Sequence, residues 1–478
     1  MKAPFSAYLQ KLAPTMKELI GILEKDCEYV SILSTDSVGF SASVSQTAKN
    51  ISGTNRTTER GNVVRIRRHG QYSEFAFNDM EGKTAAQLAE EMLAIFDRQT
   101  AMLTALGVRT YETGILDDEP CTLFVEKETE ILPEKADMDQ IISMFEDLSK
   151  KGISLVEGAI DCQIGSSSTH ISKMFLSKNR DLRQSYVYSE ASAAVLAPNE
   201  AGEMKFFYEG VSGITGPEIF RGLYEKLEHA PKVMESLKKA GKIVPGEYTV
   251  ITSPEVTGLI AHEAFGHGVE MDMFVKNRAL GADYIDKRVG SDLVTMHEGA
   301  RCADSVTAYA FDDEGTLAGD VIEIDHGILK TGICDALAAK RLGIAPTGNG
   351  KRENFAHKAY TRMTNTVFDS GDDTLEDMIA SVDYGYLLEG MESGMEDPKH
   401  WGIQCIIGRG YEIKDGKLTG EVVAPVVMTG YVPDLLGNIS MASRDREVFG
   451  NGACGKGHKE WVKVADGGPY LKTKARLG

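Results

Sequence analysis

The stretch EYTVITSPEVTGLIAHEAFGHG, Glu247–Gly268, decides how the chain divides. EYTVIT is rich in β-branched and aromatic residues and reads as a strand. Ser253 is a good N-cap and Pro254 suits the first helical position, so this strand runs directly into a helix that carries AHEAFGHG. Before it, strands and helices mix without a βαβ rhythm. After it, glycine becomes frequent and hairpins recur. The chain therefore reads as α+β: an N-terminal mixed α/β domain over residues 1–237, then a β-rich, antiparallel, barrel-like domain over residues 238–478. KKAGKIVPGEY, Lys238–Tyr248, has the composition of a connector.

Upstream, apolar residues at helical spacing predict helices over Pro14–Asp26, Thr84–Leu106 and Asp137–Lys151, and an interrupted one over Pro217–Lys242 with a kink at Pro231. YVSILST, VGFSASVSQTAKNI, NVVRIRRHG, YSEFAFN and the region Ile171–Phe207 read as strands. Downstream, VIEIDHGILKTGI pairs across Asp325-His326-Gly327, and GYEIKDGKLTGEVV across Asp415-Gly416, a dipeptide suited to the φ > 0 positions of a tight turn. Hairpins leave strand edges that must be covered or paired, and an exposed edge could accept an extended peptide.

A length of 478 residues suggests two or three domains. The formal net charge of −19 disfavours nucleic acid and anionic membranes as partners. The basic run RIRRHG, Arg65–Gly70, reads as a solvated strand face. No apolar stretch approaches the ~18 residues of a spanning helix, and the N-terminus lacks the apolar core of a signal peptide. Seven cysteines without a C-x-x-C pair fit a reducing compartment, so the expected location is cytoplasmic.

His262 and His267 are five residues apart, where the zinc-peptidase motif H-E-x-x-H has four. A regular helix turns about 100° per residue, so partners five apart sit about 140° apart and cannot share an ion. A π-type turn closes in five residues and would bring them together. Gly266 and Gly268 tolerate such a distortion. Glu263 lies beside the first histidine. Two histidines leave a third ligand to be found, and Glu270, His297, Cys302, Cys454 and His458 are the candidates. Cys454 lies among glycines in FGNGACGKGHKEW, where the backbone can approach an ion, though a lone cysteine is also a common buried apolar residue.

HEAFGHG, FDDEGT (Phe311–Thr316), APTGNGKREN (Ala345–Asn354), RMTNT (Arg362–Thr366) and GACGK (Gly452–Lys456) occur in this order. Together they resemble the TldD/PmbA metallopeptidase family, on its catalytic, TldD-like side. The resemblance implies one Zn²⁺ per catalytic subunit, held by His262, His267 and Cys454, with Glu263 as general base. It also implies small or unfolded peptides as substrates and a dimer, either a homodimer or a heterodimer with a PmbA-like subunit. Thr347, Asn349 and Arg352 could bind a peptide backbone or merely shape a turn. Asp312 and Asp313 could orient a ligand histidine or form a solvated turn. Two other readings stay open: a catalytically silent peptide-binding subunit, and a thiol hydrolase with Cys454 as nucleophile.

Overall fold

Ser6 caps the first helix by accepting a hydrogen bond from the Leu9 N–H, and α1 runs from Ala7 to Leu23. It begins before the predicted Pro14 because Leu9, Leu12 and Ala13 extend its buried stripe toward the N-terminus. That burial outweighs the one backbone donor Pro14 lacks. The structure, a computed structural model, describes residues 1–53, 58–78, 82–108, 110–457 and 460–478.

The strands β1 (Tyr29–Val44), β2 (Lys49–Ser52), β3 (Glu59–Arg68), β4 (Gln71–Phe77), β5 (Cys121–Glu126), β6 (Asp161–Ser177), β7 (Arg180–Pro198) and β8 (Met204–Gly213) form one sheet. Its order is β4-β3-β1-β6-β7-β5, with β2 on β1 and β8 on β7. Side chains alternate across a strand, and β1 shows what each face does. Val30, Ile32, Phe40, Ala42 and Val44 are buried against helices. These helices are α1 and α2 (Ala85–Ala105) at one end of the sheet and α3 (Met138–Leu155) at the other. The opposite face carries Leu33, which packs on Phe311 of the C-terminal half. Pro231 does not kink a long helix. The region is a series of short turns, and Pro231 stands in the first turn of the helix Ala230–Lys239, where its missing N–H costs nothing.

The C-terminal half is built on an 11-stranded sheet. Within it β9 (Gly246–Thr252) pairs in parallel with Tyr384–Asp397, which pairs with Gly402–Lys414, then Val426–Tyr431, then the last strand, Ala465–Leu477. The last strand returns to β9, Leu477 opposite Gly246, and closes a five-stranded barrel. Closure removes the free edges that hairpins would otherwise leave in this part. The predicted hairpin turns are present, with Asp415 at φ 49° and Gly416 at φ 73° in one of them. The helix Pro254–Ile260, capped by Ser253, sends Leu259 and Ile260 into the barrel core, and Phe265 follows just beyond it, beside Trp401, Ile403 and Met428. No helix among the described residues is long and apolar enough to cross a membrane.

Candidate metal centre

The helix that follows β9 changes form where the histidines begin. It is α-helical over Pro254–Ile260, a π-helix over Ala261–Gly266, and a 3₁₀ turn over His267–Val269. The His267 N–H donates to the His262 carbonyl, an i→i+5 bond that closes the turn between the two residues. A methyl group at Gly266 would lie 2.0 Å from the Met363 sulfur, so glycine is what lets the widened turn sit against that side chain. The imidazole rings come to 5.1 Å between centroids and stand at 87° to one another.

Cys454 joins them from a two-stranded hairpin, Ala453–Lys456 with Glu460–Lys463. Its Sγ lies 3.3 Å from His267 Nε2. One donor atom from each of His262, His267 and Cys454 lies within 4.8 Å of the others. Arg362, fully buried, donates to the Cys454 carbonyl at 2.5 Å and to the Glu460 carbonyl at 3.0 Å, tying the two strands of the hairpin together.

Each histidine has an acid behind it. His267 Nδ1 lies 3.1 Å from Glu270 Oε2, and Lys456 lies 3.1 Å from the same oxygen and 2.8 Å from Asp272. Asp466 lies 4.0 Å from His262 Nδ1. The hydrogen bond to Glu270 fixes which His267 nitrogen faces a metal, whereas Asp466 stands beyond hydrogen-bond reach of His262 Nδ1. Burial would raise the Cys454 thiol, but the two imidazoles hold it down to about 4. Burial would lower His267, but Glu270 and the Cys454 thiolate hold it well above the ordinary range. The donor set is therefore a thiolate and two imidazoles in surroundings that favour positive charge. Two nitrogens and a sulfur at this spacing fit Zn²⁺ with one position left open.

Glu263 lies in the same π turn, against the strand Tyr384–Asp397. A methyl group at Gly394 of that strand would be 2.4 Å from Glu263 Cγ, so the glycine leaves the room this side chain occupies. Two residues on, Glu396 faces the same way. Burial pushes its carboxyl up to about 9 against the pull of His267, and neither of its oxygens has a hydrogen-bond partner.

Other candidates fall elsewhere. Asp312 and Asp313 do not orient a histidine: Asp312 accepts the Gly350 and Thr316 N–H groups, and Asp313 pairs with Lys173 and accepts the Arg352 N–H. Glu270 orients His267 instead, a role its i,i+3 spacing permits. Thr347 bonds to the Cys334 backbone, and Asn349, fully buried, to Glu298 and the Arg362 carbonyl. Both side chains are used inside the fold, as the turn-shaping alternative expects. Arg352 borders a cavity, but its guanidinium is taken by Glu74 at 2.6 Å. His297 pairs with Asp320 and Asp369, and Cys302 donates to the Asn365 carbonyl. His458 lies outside the described residues. Asp466 and Glu396 carry no local sequence signal, because the strands that bring them here lie over a hundred residues away in sequence.

Residues 245–474 match the PmbA/TldA metallopeptidase C-terminal domain. Over 278 residues the chain is 33% identical to a metalloprotease of Methanocaldococcus jannaschii, covering 58% of this chain and 61% of that one. Over 238 residues it is 32% identical to a zinc metalloprotease TldD homolog of Saccharolobus solfataricus, covering 48% and 51%. The match spans less than two thirds of either relative. Among solved structures, TldE from Thermococcus kodakarensis shares the fold, with a TM-score of 0.76 at 17% identity over 97% of this chain and all of that one.

Proposed function

The C-terminal half of the chain matches the TldD/PmbA family, and from that premise we propose that the chain belongs to this family and is a zinc-dependent peptidase acting on small or unfolded peptides. The observation that carries this reading is the π turn that sets His262 and His267 beside Cys454. These three residues would hold the ion. Zinc, when bound, supplies a Lewis acid that polarises the scissile carbonyl and makes water a stronger acid.

Glu263 accepts the proton of the attacking water and returns it to the leaving amine. It stands next to a ligand residue in the sequence, and Gly394 leaves the room its side chain occupies. Glu270 holds the His267 imidazole, Asp466 sets a negative charge near His262, and Arg362 holds the Cys454 strand by its carbonyl. We also propose that the chain divides at residues 237/238, which is supported by the end of the first sheet at Gly213 and the start of the barrel at Gly246. We propose further that it works in the cytoplasm as a homodimer or beside a PmbA-like subunit.

The test is hydrolysis of an unstructured peptide by the purified chain, alone and with such a partner, before and after chelation. Activity should vanish with chelator and return with zinc. Glu263→Gln should keep the zinc and lose roughly 10²–10⁴-fold in rate. Wild-type rates in that variant would remove Glu263 from its role. A second reading is favoured by the 3.3 Å contact of Cys454 with His267, which also suits a thiol nucleophile. Activity that survives chelation but not alkylation would select it. Zinc retained with no turnover in any assembly would mark a silent peptide-binding subunit.

A further inference from the structure

Between the strand face carrying Thr35, Ser41, Ser167 and Tyr188 and the loops of the C-terminal half lies a cavity of 680 Å³. That is the size of a pocket for a short peptide segment. One wall includes the Cys454 hairpin. Side chains alternate across a strand, and Cys454 and its cross-strand neighbour Val462 are buried together on the cluster side. Gly455 and Trp461, the next pair, point the other way. The Trp461 ring covers Gly455, coming within 3.3 Å of where a methyl group would stand. Ala453, Trp461, Val462 and Lys463 all border the cavity. The hairpin that carries Cys454 thus forms part of the cavity wall.

The charged groups around this space are either paired or hydrogen-bonded to backbone within the protein. Lys173 pairs with Asp313 and Lys463 with Glu190. Arg352 pairs with Glu74 at 2.6 Å, and Glu353 lies 3.8 Å from His357. The Lys351 ammonium donates to the Met363 and Lys463 carbonyls. Glu59 accepts the Phe355 N–H at 2.6 Å, and Asp312 the Gly350 N–H at 2.8 Å. What remains for a ligand is hydroxyl groups, phenol rings and Trp461, which is 40% exposed. A charged group entering here would lose its water and find the acids and bases of the wall already hydrogen-bonded, whereas amides, hydroxyls and aromatic rings would find partners.

We propose that this cavity binds an uncharged, polar and aromatic segment of the peptide substrate, against the wall that the Cys454 hairpin forms. That the ligand is a peptide rests on the function proposed above. Because Trp461 and Cys454 share the hairpin, a bound segment braces the strand that carries the ligand thiolate. Remote contacts of this kind let binding energy serve the reacting centre.

The test is binding to the full chain carrying Glu263→Gln, so that the peptide is not consumed, read by calorimetry and by tryptophan fluorescence. The probes are acetyl-Gly-Ser-Tyr-Ser-Gly-amide and the same peptide with Glu or Lys in place of Tyr. The neutral peptide should bind at least tenfold more tightly than either charged one and should perturb the emission of Trp461, since the other tryptophan, Trp401, is fully buried. Ser167→Trp and Ser41→Tyr fill the cavity from β6 and β1. Each should weaken binding at least tenfold while zinc content stays unchanged, and if one fails to fold the other decides. Equal binding of the charged peptides, or full affinity in a folded filled variant, would overturn the proposal. A chain that binds in the expected pattern yet hydrolyses nothing would instead overturn the peptidase reading and leave this site standing.

Discussion

At the scale of single residues, two cysteines of similar burial have opposite chemistry. Burial drives the Cys302 thiol far up, whereas the histidines beside Cys454 hold its thiol at about 4. A thiolate binds zinc and a buried thiol does not. Cys454→Ser should therefore lower zinc affinity sharply and Cys302→Ser should leave it unchanged, measured by metal analysis after dialysis against a graded chelator. Equal losses would break the assignment. Gly394 gives a second expectation. Alanine there must push Glu263 aside, because no backbone movement short of opening the barrel separates 2.4 Å. Gly394→Ala should thus keep zinc yet lose at least tenfold in turnover, a displacement of the base and not of the ligands.

At the scale of elements, the site helix lies unusually close to the last strand. A methyl group at Gly258 would stand 2.6 Å from both Asp466 Oδ1 and the Gly467 nitrogen, and one at Gly468 would stand 2.6 Å from Thr257. Glycines on both sides allow the approach that sets Asp466 behind His262. Gly258→Ala gains roughly 1 kcal/mol of helix propensity but must overpack this contact at about 1–3 kcal/mol. It should lower the melting temperature and weaken zinc binding together, and an unchanged melting curve would show that the strand can yield. This element was largely legible from the sequence. The five-residue spacing demands a π turn if both histidines share an ion, and Ser253-Pro254 mark its start. The third donor is not fixed by spacing: the glycines around Cys454 single it out among five candidates, but only the order of the motifs separates it from a buried apolar cysteine.

At the scale of the whole molecule, FDDEGT and GKREN dock the two halves together. Arg65 of β3 pairs with Glu314, and Glu74 of β4 pairs with both Arg65 and Arg352. No local pattern reveals this, because the partners lie 249 and 278 residues apart. Burial alone would raise the Glu74 carboxyl, but the two guanidinium groups hold it well below the ordinary range. A carboxylate depressed by folding stabilises the fold above its unfolded pKa of about 4.5 and loses that contribution as the pH falls below it. Glu74→Gln should therefore cost about 3–5 kcal/mol at pH 7 by leaving buried Arg352 without an acid and Arg65 with Glu314 alone. The gap between wild type and variant should narrow as the solution is acidified below about pH 4.5. Thermal denaturation across pH measures both, and a constant gap would contradict the coupling.

The closed barrel also has a mechanical side. Its seam joins β9 to the last strand in antiparallel order, with Leu477 opposite Gly246 and Leu471 opposite Thr252. A pull on the C-terminal end against an anchored N-terminal half loads this seam one pair at a time, as a zipper, and not all pairs at once in shear. Asp466 and the glycines under the site helix lie at the far end of that strand, so a processive unfolding machine would strip the barrel wall before it reached the metal centre.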